Sequence, residues 1–106
     1  MEFDHVGIIT EEKKEGAIYV EATKVWVTDF RVDPYGIEWL RFEPDTPVTG
    51  PVRHLPHVAF RVESITATAK ELGLKTLLEP FDADLAIVGF FEAEDGSIIE
   101  LMEYNR

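Results

Sequence analysis

Two histidines and two glutamates occupy matching places in the two halves of this 106-residue chain. His5 lies in the motif DHVGI and His57 in the motif PHVAF, so each histidine precedes a valine and a small residue. Glu38 and Glu100 each lie in an apolar segment that follows a turn signal containing aspartate and glycine. Neutral imidazole and carboxylate groups suit first-row divalent ions, and two histidines with one carboxylate would leave coordination positions open for a substrate.

The spacing within each histidine motif predicts which side chains share a face. Successive side chains of a strand point to opposite sides, so His5 shares a face with Gly7, and His57 shares a face with Ala59. The small partners leave room beside each imidazole. If the two halves are related by a pseudo-twofold axis, the two histidine strands become neighbours. We then expect both imidazoles and one or two carboxylates to converge in one cavity.

A proline-rich segment separates the two halves. Four of the six prolines lie between positions 44 and 56, and proline interrupts helices and central strands. No helix or central strand is therefore expected to run through this segment. We predict a single domain over residues 1–106, made of one module at 1–43, a crossover at 44–54 and a second module at 55–106.

The second module has the clearer pattern of elements. Strand-like residues at 55–62 precede Ser64, which can cap a helix that ends near Leu72, and Gly73 suits the left-handed position after it. Three further strands are predicted at 75–78, 86–93 and 97–104, which gives the order βαβββ.

The first module is shorter, because fewer residues separate His5 from Glu38 than separate His57 from Glu100. The shortfall falls on a polar stretch at 11–16, where the helix of the second module has its counterpart. We predict mostly strand over 17–32 and a first helix that is reduced or absent. The predicted fold class is therefore α+β, with two βαβββ modules of unequal completeness.

These motifs resemble those of the vicinal oxygen chelate superfamily, which includes glyoxalases, bleomycin-resistance proteins and dioxygenases. The second module resembles it at 57–62 (HVAFRV) and 89–103 (GFFEAEDGSIIELME), and the first module at 3–8 (FDHVGI). The resemblance implies that paired βαβββ modules form a cupped mixed sheet around a divalent metal ion. It also implies a homodimer.

Site residues follow from the resemblance position by position. The metal ligands fall on His5, His57 and Glu100, and the remaining position falls on Glu38, as a catalytic base or a fourth ligand. Glu43 is the alternative for that position, because the first module is shortened. The ion would be Zn, Ni, Co, Mn or Fe(II).

The resemblance implies a glyoxalase-like lyase or isomerase, or an epimerase, that acts on a small oxygenated metabolite by bidentate metal chelation and proton transfer. Two alternatives remain open. One is a metal-free ligand-binding or non-enzymatic protein of the bleomycin-resistance kind, and the other is an Fe(II) ring-cleaving dioxygenase.

Composition narrows the possible partners. The formal net charge is −11, from 10 basic and 21 acidic residues, so nucleic acid and anionic membranes are disfavoured as partners. The chain contains no cysteine, which excludes disulfides, thiol nucleophiles and thiolate ligands. We expect a cytoplasmic protein whose partner is a small-molecule substrate or ligand.

Overall fold

The strand that carries His5 pairs with the strand that carries His57 at the centre of an eight-stranded sheet. The structure is a computed structural model that describes residues 1–104. The strands are β1 (Glu2–Ile9), β2 (Ile18–Val20), β3 (Val25–Val27), β4 (Ile37–Phe42), β5 (His57–Arg61), β6 (Lys75–Asp82), β7 (Ala86–Glu92) and β8 (Ile98–Tyr104). The helices are α1 (Pro51–His54) and α2 (Ile65–Leu72).

The strand order β2-β3-β4-β1-β5-β8-β7-β6 is symmetric about the central pair. β1 and β5 are antiparallel, and each is flanked by a parallel strand from its own module, β4 beside β1 and β8 beside β5. The sheet curls into a half-barrel with a concave face and a convex face. The predicted α+β fold class is confirmed, and so is the pairing of the two histidine strands.

Helix α2 covers the convex face of the second module. The side chain of Ser64 accepts a hydrogen bond from the backbone N–H of Ala67, and Gly73 follows the last turn with a φ of 65°. Glycine has no Cβ to oppose that left-handed conformation. Ile65 packs under the helix against Phe91 and Leu101, which forms a separate hydrophobic cluster on this side of the sheet.

The first module has no α-helix between β1 and β2. Residues 10–17 form turns and loop, and the segment predicted as mostly strand is a short hairpin of β2 and β3 followed by a 3₁₀ turn at Phe30–Val32. The prediction for 17–32 was therefore only partly correct. Asp29 ends the extended segment because its side chain accepts the N–H of Arg31 and so caps the turn.

The crossover contains one short helix, α1, and no helix or central strand runs through the whole segment, as predicted. Pro51 occupies the start of α1, where a missing N–H leaves no hydrogen bond unmade. Val48 and Val52 are buried against the concave side of the sheet.

Within residues 1–104, no helix is long and apolar enough to cross a membrane. Residues 105 and 106, the end of the predicted second module, lie outside the described residues.

Candidate metal centre

The sheet register brings the four candidate residues together. His5 and His57 lie on β1 and β5, and Glu38 and Glu100 lie on the parallel strands outside them. The registered pairs are Gly7 with both Glu38 and His57, and Ala59 with both His5 and Glu100. Each small residue thus lies between an imidazole and a carboxylate of the neighbouring strands.

One ligand atom from each of the four residues lies within 4.8 Å of the others. Nε2 of His57 lies 3.1 Å from Oε1 of Glu100, and Nε2 of His5 lies 3.4 Å from the same oxygen. Oε1 of Glu38 lies 3.5 Å from Nε2 of His5. Glu100 therefore lies between the two imidazoles, and Glu38 approaches the group from the side of His5.

The centre of this cluster is buried and short of hydrogen bonds. His5, His57 and Glu100 are 1%, 2% and 5% exposed. Within residues 1–104, Nε2 of each histidine and Oε1 of Glu100 make no hydrogen bond of acceptable geometry, although the two nitrogens lie 3.4 and 3.1 Å from that oxygen. Unpartnered buried polar atoms are costly, and here the three point toward one place. Two imidazole nitrogens and a carboxylate oxygen in this arrangement fit a divalent transition-metal ion.

The burial of these four residues and their mutual contacts also determine the protonation state of the cluster. Burial by itself would lower the pKa of His5, but Glu100 and Glu38 outweigh it and raise that pKa to about 10. Burial would raise the pKa of Glu100, but His5 and His57 outweigh it and lower that pKa to about 2. The pKa of Glu38 is raised, chiefly because the carboxyl group is buried. The cluster therefore favours one bound cation, which is a proton on His5 when no metal is present.

Asp4 holds the imidazole of His5 from behind. Nδ1–H of His5 donates a 2.6 Å hydrogen bond to Oδ2 of Asp4, which leaves Nε2 directed at the cluster. The hydroxyl of Tyr104 donates to both oxygens of Asp4, at 2.9 and 3.1 Å, and Arg61 lies 3.4 Å from one of them. A carboxylate behind a ligating histidine fixes the ring and increases its basicity.

The contact of Asp4 with His5 was not predicted from the sequence, because consecutive residues of a strand normally face opposite sides of the sheet. The register of β1 against β5 shifts between Phe3 and His5, so Asp4 lies at a bulge. A bulge can redirect a side chain, and this one directs Asp4 toward the histidine that follows it. An aspartate directly before the histidine is the only signal that the sequence offers.

Two aromatic rings pack against the imidazoles. Phe30, from the 3₁₀ turn, stacks on His5 with ring centroids 4.1 Å apart and planes inclined by 19°. Phe90 meets His57 edge to face at 5.0 Å. Phe90 is buried and also lines the cavity on the concave face of the sheet. The contact of Phe30 was not predicted, because it depends on the turn that replaces the expected strand.

The alternative residue Glu43 lies away from the cluster. Its carboxylate accepts a 2.7 Å hydrogen bond from Nε1 of Trp26, and Arg41 is 3.7 Å away. The register of β1 with β4 places Glu38 opposite Gly7. The third histidine, His54, is exposed on the crossover helix.

A cavity of about 380 Å³ opens on the concave face next to the cluster. Both Glu38 and Glu100 line it, whereas His5 and His57 lie behind Phe30 and Phe90. Its volume lies within the usual range of small-molecule sites, about 300–1,000 Å³. The fold and the cluster together define a half-barrel α+β protein with a candidate metal centre beside a ligand-sized cavity.

Comparison with known proteins supports the fold. The chain resembles the solved structure of methylmalonyl-CoA epimerase from Mycobacterium tuberculosis, with a TM-score of 0.57, 17% sequence identity, and coverage of 99% of this chain and 89% of that chain. The solved structure of NAD-dependent benzaldehyde dehydrogenase from Legionella pneumophila is similar with a TM-score of 0.46 and 12% sequence identity, over 77% of this chain and 73% of that chain. The sequence matches no protein-family model and no curated protein. Membership of the vicinal oxygen chelate superfamily therefore stays a prediction.

Proposed function

We propose that this protein is a metal-dependent isomerase of the glyoxalase-like or epimerase kind, acting on a small metabolite with two adjacent oxygens. His5, His57 and Glu100 would hold the ion, which would be Zn, Ni, Co, Mn or Fe(II). The observation that carries the proposal is the set of three buried, unpartnered ligand atoms beside a ligand-sized cavity.

A divalent ion in this place would supply Lewis acidity to the oxygens of a chelated substrate. Glu38 is the residue suited to move a proton at the neighbouring carbon. Its side chain is 16% exposed against 7% for Glu100, and it lines the cavity. In the metal-free protein the pKa of Glu38 is raised, chiefly because the carboxyl group is buried. These features favour the role of base for Glu38, with the role of fourth ligand as the alternative.

The test is elemental analysis of protein purified without chelator or affinity metal, together with the variants His5→Ala and His57→Ala. We expect about one equivalent of a transition metal in the parent and none in either variant, because each loses one of the three ligands. His54→Ala is the matched control, since that histidine is exposed in the crossover, and it should retain the metal.

A metal-free ligand-binding protein is the second candidate, favoured by the mostly apolar lining of the cavity. A parent protein that binds none of the five ions when each is offered would contradict the isomerase proposal and support this candidate.

The homodimer implied by the resemblance is a further prediction, to be checked by sedimentation of the purified chain.

A further inference from the structure

We infer that the cavity selects an uncharged substrate whose two adjacent oxygens are joined to an apolar ring or chain. The position of the two oxygens rests on the proposed function. The apolar, uncharged nature of the remainder of the substrate is inferred from the side chains that line the cavity.

The walls are apolar on several sides. The side chains that form them come from β4, β7, β8 and the crossover helix: Leu40, Phe42, Val88, Phe90, Met102 and Val52. All six are 7% exposed or less. A polar or strongly hydrated group held against this surface would lose water without gaining hydrogen bonds, whereas an apolar group would gain by burial.

The charged side chains along the cavity are mostly acidic. Glu38 and Glu100 lie deep, and the lining also includes Asp29 and Asp84. Arg31 is the only cation among the described lining residues. It already donates to Asp29 through Nε at 2.9 Å and Nη2 at 3.1 Å.

An anionic substrate would therefore meet no unengaged positive charge along the walls. One divalent ion at the cluster would be offset by the two glutamates that line the cavity. The net charge of −11 adds further repulsion. A carboxylate or a phosphate-bearing thioester is disfavoured for this reason, and an uncharged hydroxyketone is favoured.

Glu38 and Glu100 line the cavity where it meets the candidate metal ligands, so the oxygens would lie at that end and the apolar part along the walls. For a hydroxyketone, Glu38 would remove the proton from the carbon that bears the hydroxyl group. Glu38 reaches one face of that carbon only, so water would return a proton to the opposite face, and the proton taken by Glu38 would pass to solvent. One C–H bond breaks and one forms, so the net reaction is inversion with no oxidant or reductant.

Three probes separate the predicted properties. Benzoin is an uncharged hydroxyketone with phenyl groups, acetoin has the same reacting group without an apolar body, and mandelate has a phenyl group with a carboxylate. We expect calorimetry on the metal-loaded protein to give an affinity at least about tenfold higher for benzoin than for either of the others. Equal or tighter binding of mandelate or acetoin would overturn the inference.

A rim variant tests whether the apolar part occupies this cavity. Ala83 is half-buried and lines the cavity, so Ala83→Phe should lower the affinity for benzoin at least about tenfold and leave that for acetoin unchanged. Ala93→Phe is the matched control, because Ala93 is half-buried in the hairpin after β7 and does not line the cavity. Equal effects of the two variants on benzoin binding would contradict the inference.

Asp29→Asn tests the charge argument separately. Removing this carboxylate releases Arg31 and reduces the negative charge of the lining, so the affinity for mandelate should rise several-fold while that for benzoin stays the same. No gain for mandelate would contradict the electrostatic basis of the selection.

Failure of the inference and failure of the proposed function give different results. If benzoin binds with the predicted preference but exchanges no C–H hydrogen with deuterated water, the inference on selectivity stands and the isomerase proposal fails. If acetoin or mandelate exchanges hydrogen while benzoin neither binds nor exchanges, the isomerase proposal stands and the inference fails.

Discussion

Asp4 accepts a 2.6 Å hydrogen bond from Nδ1 of His5, although the two residues are consecutive in one strand. The bulge in β1 makes this contact possible, and Tyr104 and Arg61 surround the far side of the carboxylate. His57 has no such support, since its Nδ1 has no hydrogen-bond partner within residues 1–104. The two imidazoles are therefore inequivalent, despite the symmetry of the strands that carry them.

Asp4→Asn should weaken metal binding by about 10- to 100-fold, because the amide orients the ring of His5 less firmly and does not increase its basicity. Competition with a chromophoric chelator measures the affinity for Zn²⁺ or Co²⁺. Tyr104→Phe removes the hydroxyl donor but keeps the carboxylate, and it should have a smaller effect. An unchanged affinity in Asp4→Asn would show that the hydrogen bond does not support the site.

Gly7→Ala should abolish or strongly reduce metal binding. A Cβ at Gly7 would lie 2.2 Å from both Cε1 and Nε2 of His57, so the imidazole would have to move. Gly89→Ala is the control in another strand of the same sheet. The atom nearest to its new Cβ is Cε1 of Phe91, at 3.1 Å. Chelator competition should separate the two variants, and full metal binding by Gly7→Ala would contradict the geometry.

The stability of the metal-free protein should depend on pH through His5 and Glu100. The pKa of His5 is raised from 6.5 to about 10, so its contribution is complete below pH 6.5 and is lost as the pH rises through 10. The pKa of Glu100 is lowered from 4.5 to about 2, so its contribution is present above pH 4.5 and is lost as the pH falls through 2. Urea unfolding from pH 6.5 upward should show decreasing stability, by less than about 1.4 kcal/mol per pH unit. His5→Ala should flatten this slope.

Metal binding should release about one proton near pH 8, because the ion replaces the proton on His5. Calorimetry in two buffers with different ionisation enthalpies counts the protons released. The apparent affinity for the metal ion should rise by up to about tenfold per pH unit around pH 8. Binding without proton release would show that His5 is neutral in the metal-free protein.

Glu38→Gln should keep the metal and lose the proton transfer, since glutamine is close in shape but is not a base. A loss of about 10²- to 10⁴-fold in the rate of solvent hydrogen exchange into benzoin is expected. Glu43→Gln is the matched control, because Glu43 contacts Trp26 away from the cluster. Loss of the metal itself from Glu38→Gln would instead assign Glu38 as a fourth ligand.

The local features of the second module could be predicted from the sequence because they depend on neighbouring residues. Ser64 and Gly73 mark the ends of α2 by their own hydrogen-bonding and backbone preferences, and the structure confirms both ends. The alternation around His5 and His57 likewise follows from strand geometry alone. The repeat of the two motifs, together with a pseudo-twofold relation between the halves, predicted that their strands are neighbours.

The first module was harder to predict, because short strands and turns have weak local signals. The hairpin of β2 and β3 and the turn at Phe30–Val32 replace the strand expected at 17–32. Four prolines indicated a crossover, yet Pro51 begins a helix there, since proline is acceptable in the first turn.

The sequence by itself determined the residue types of the site, their faces and the symmetry of the strands that carry them. Only the tertiary structure shows that Glu38, and not Glu43, lies beside the histidines and Glu100, because that placement depends on the register of β4 against β1. The structure also decided the role of Asp4, since a bulge reverses the direction that strand alternation predicts. The apolar cavity is likewise a tertiary property, because its walls come from strands and a helix that are distant in the chain and meet only when the sheet curls.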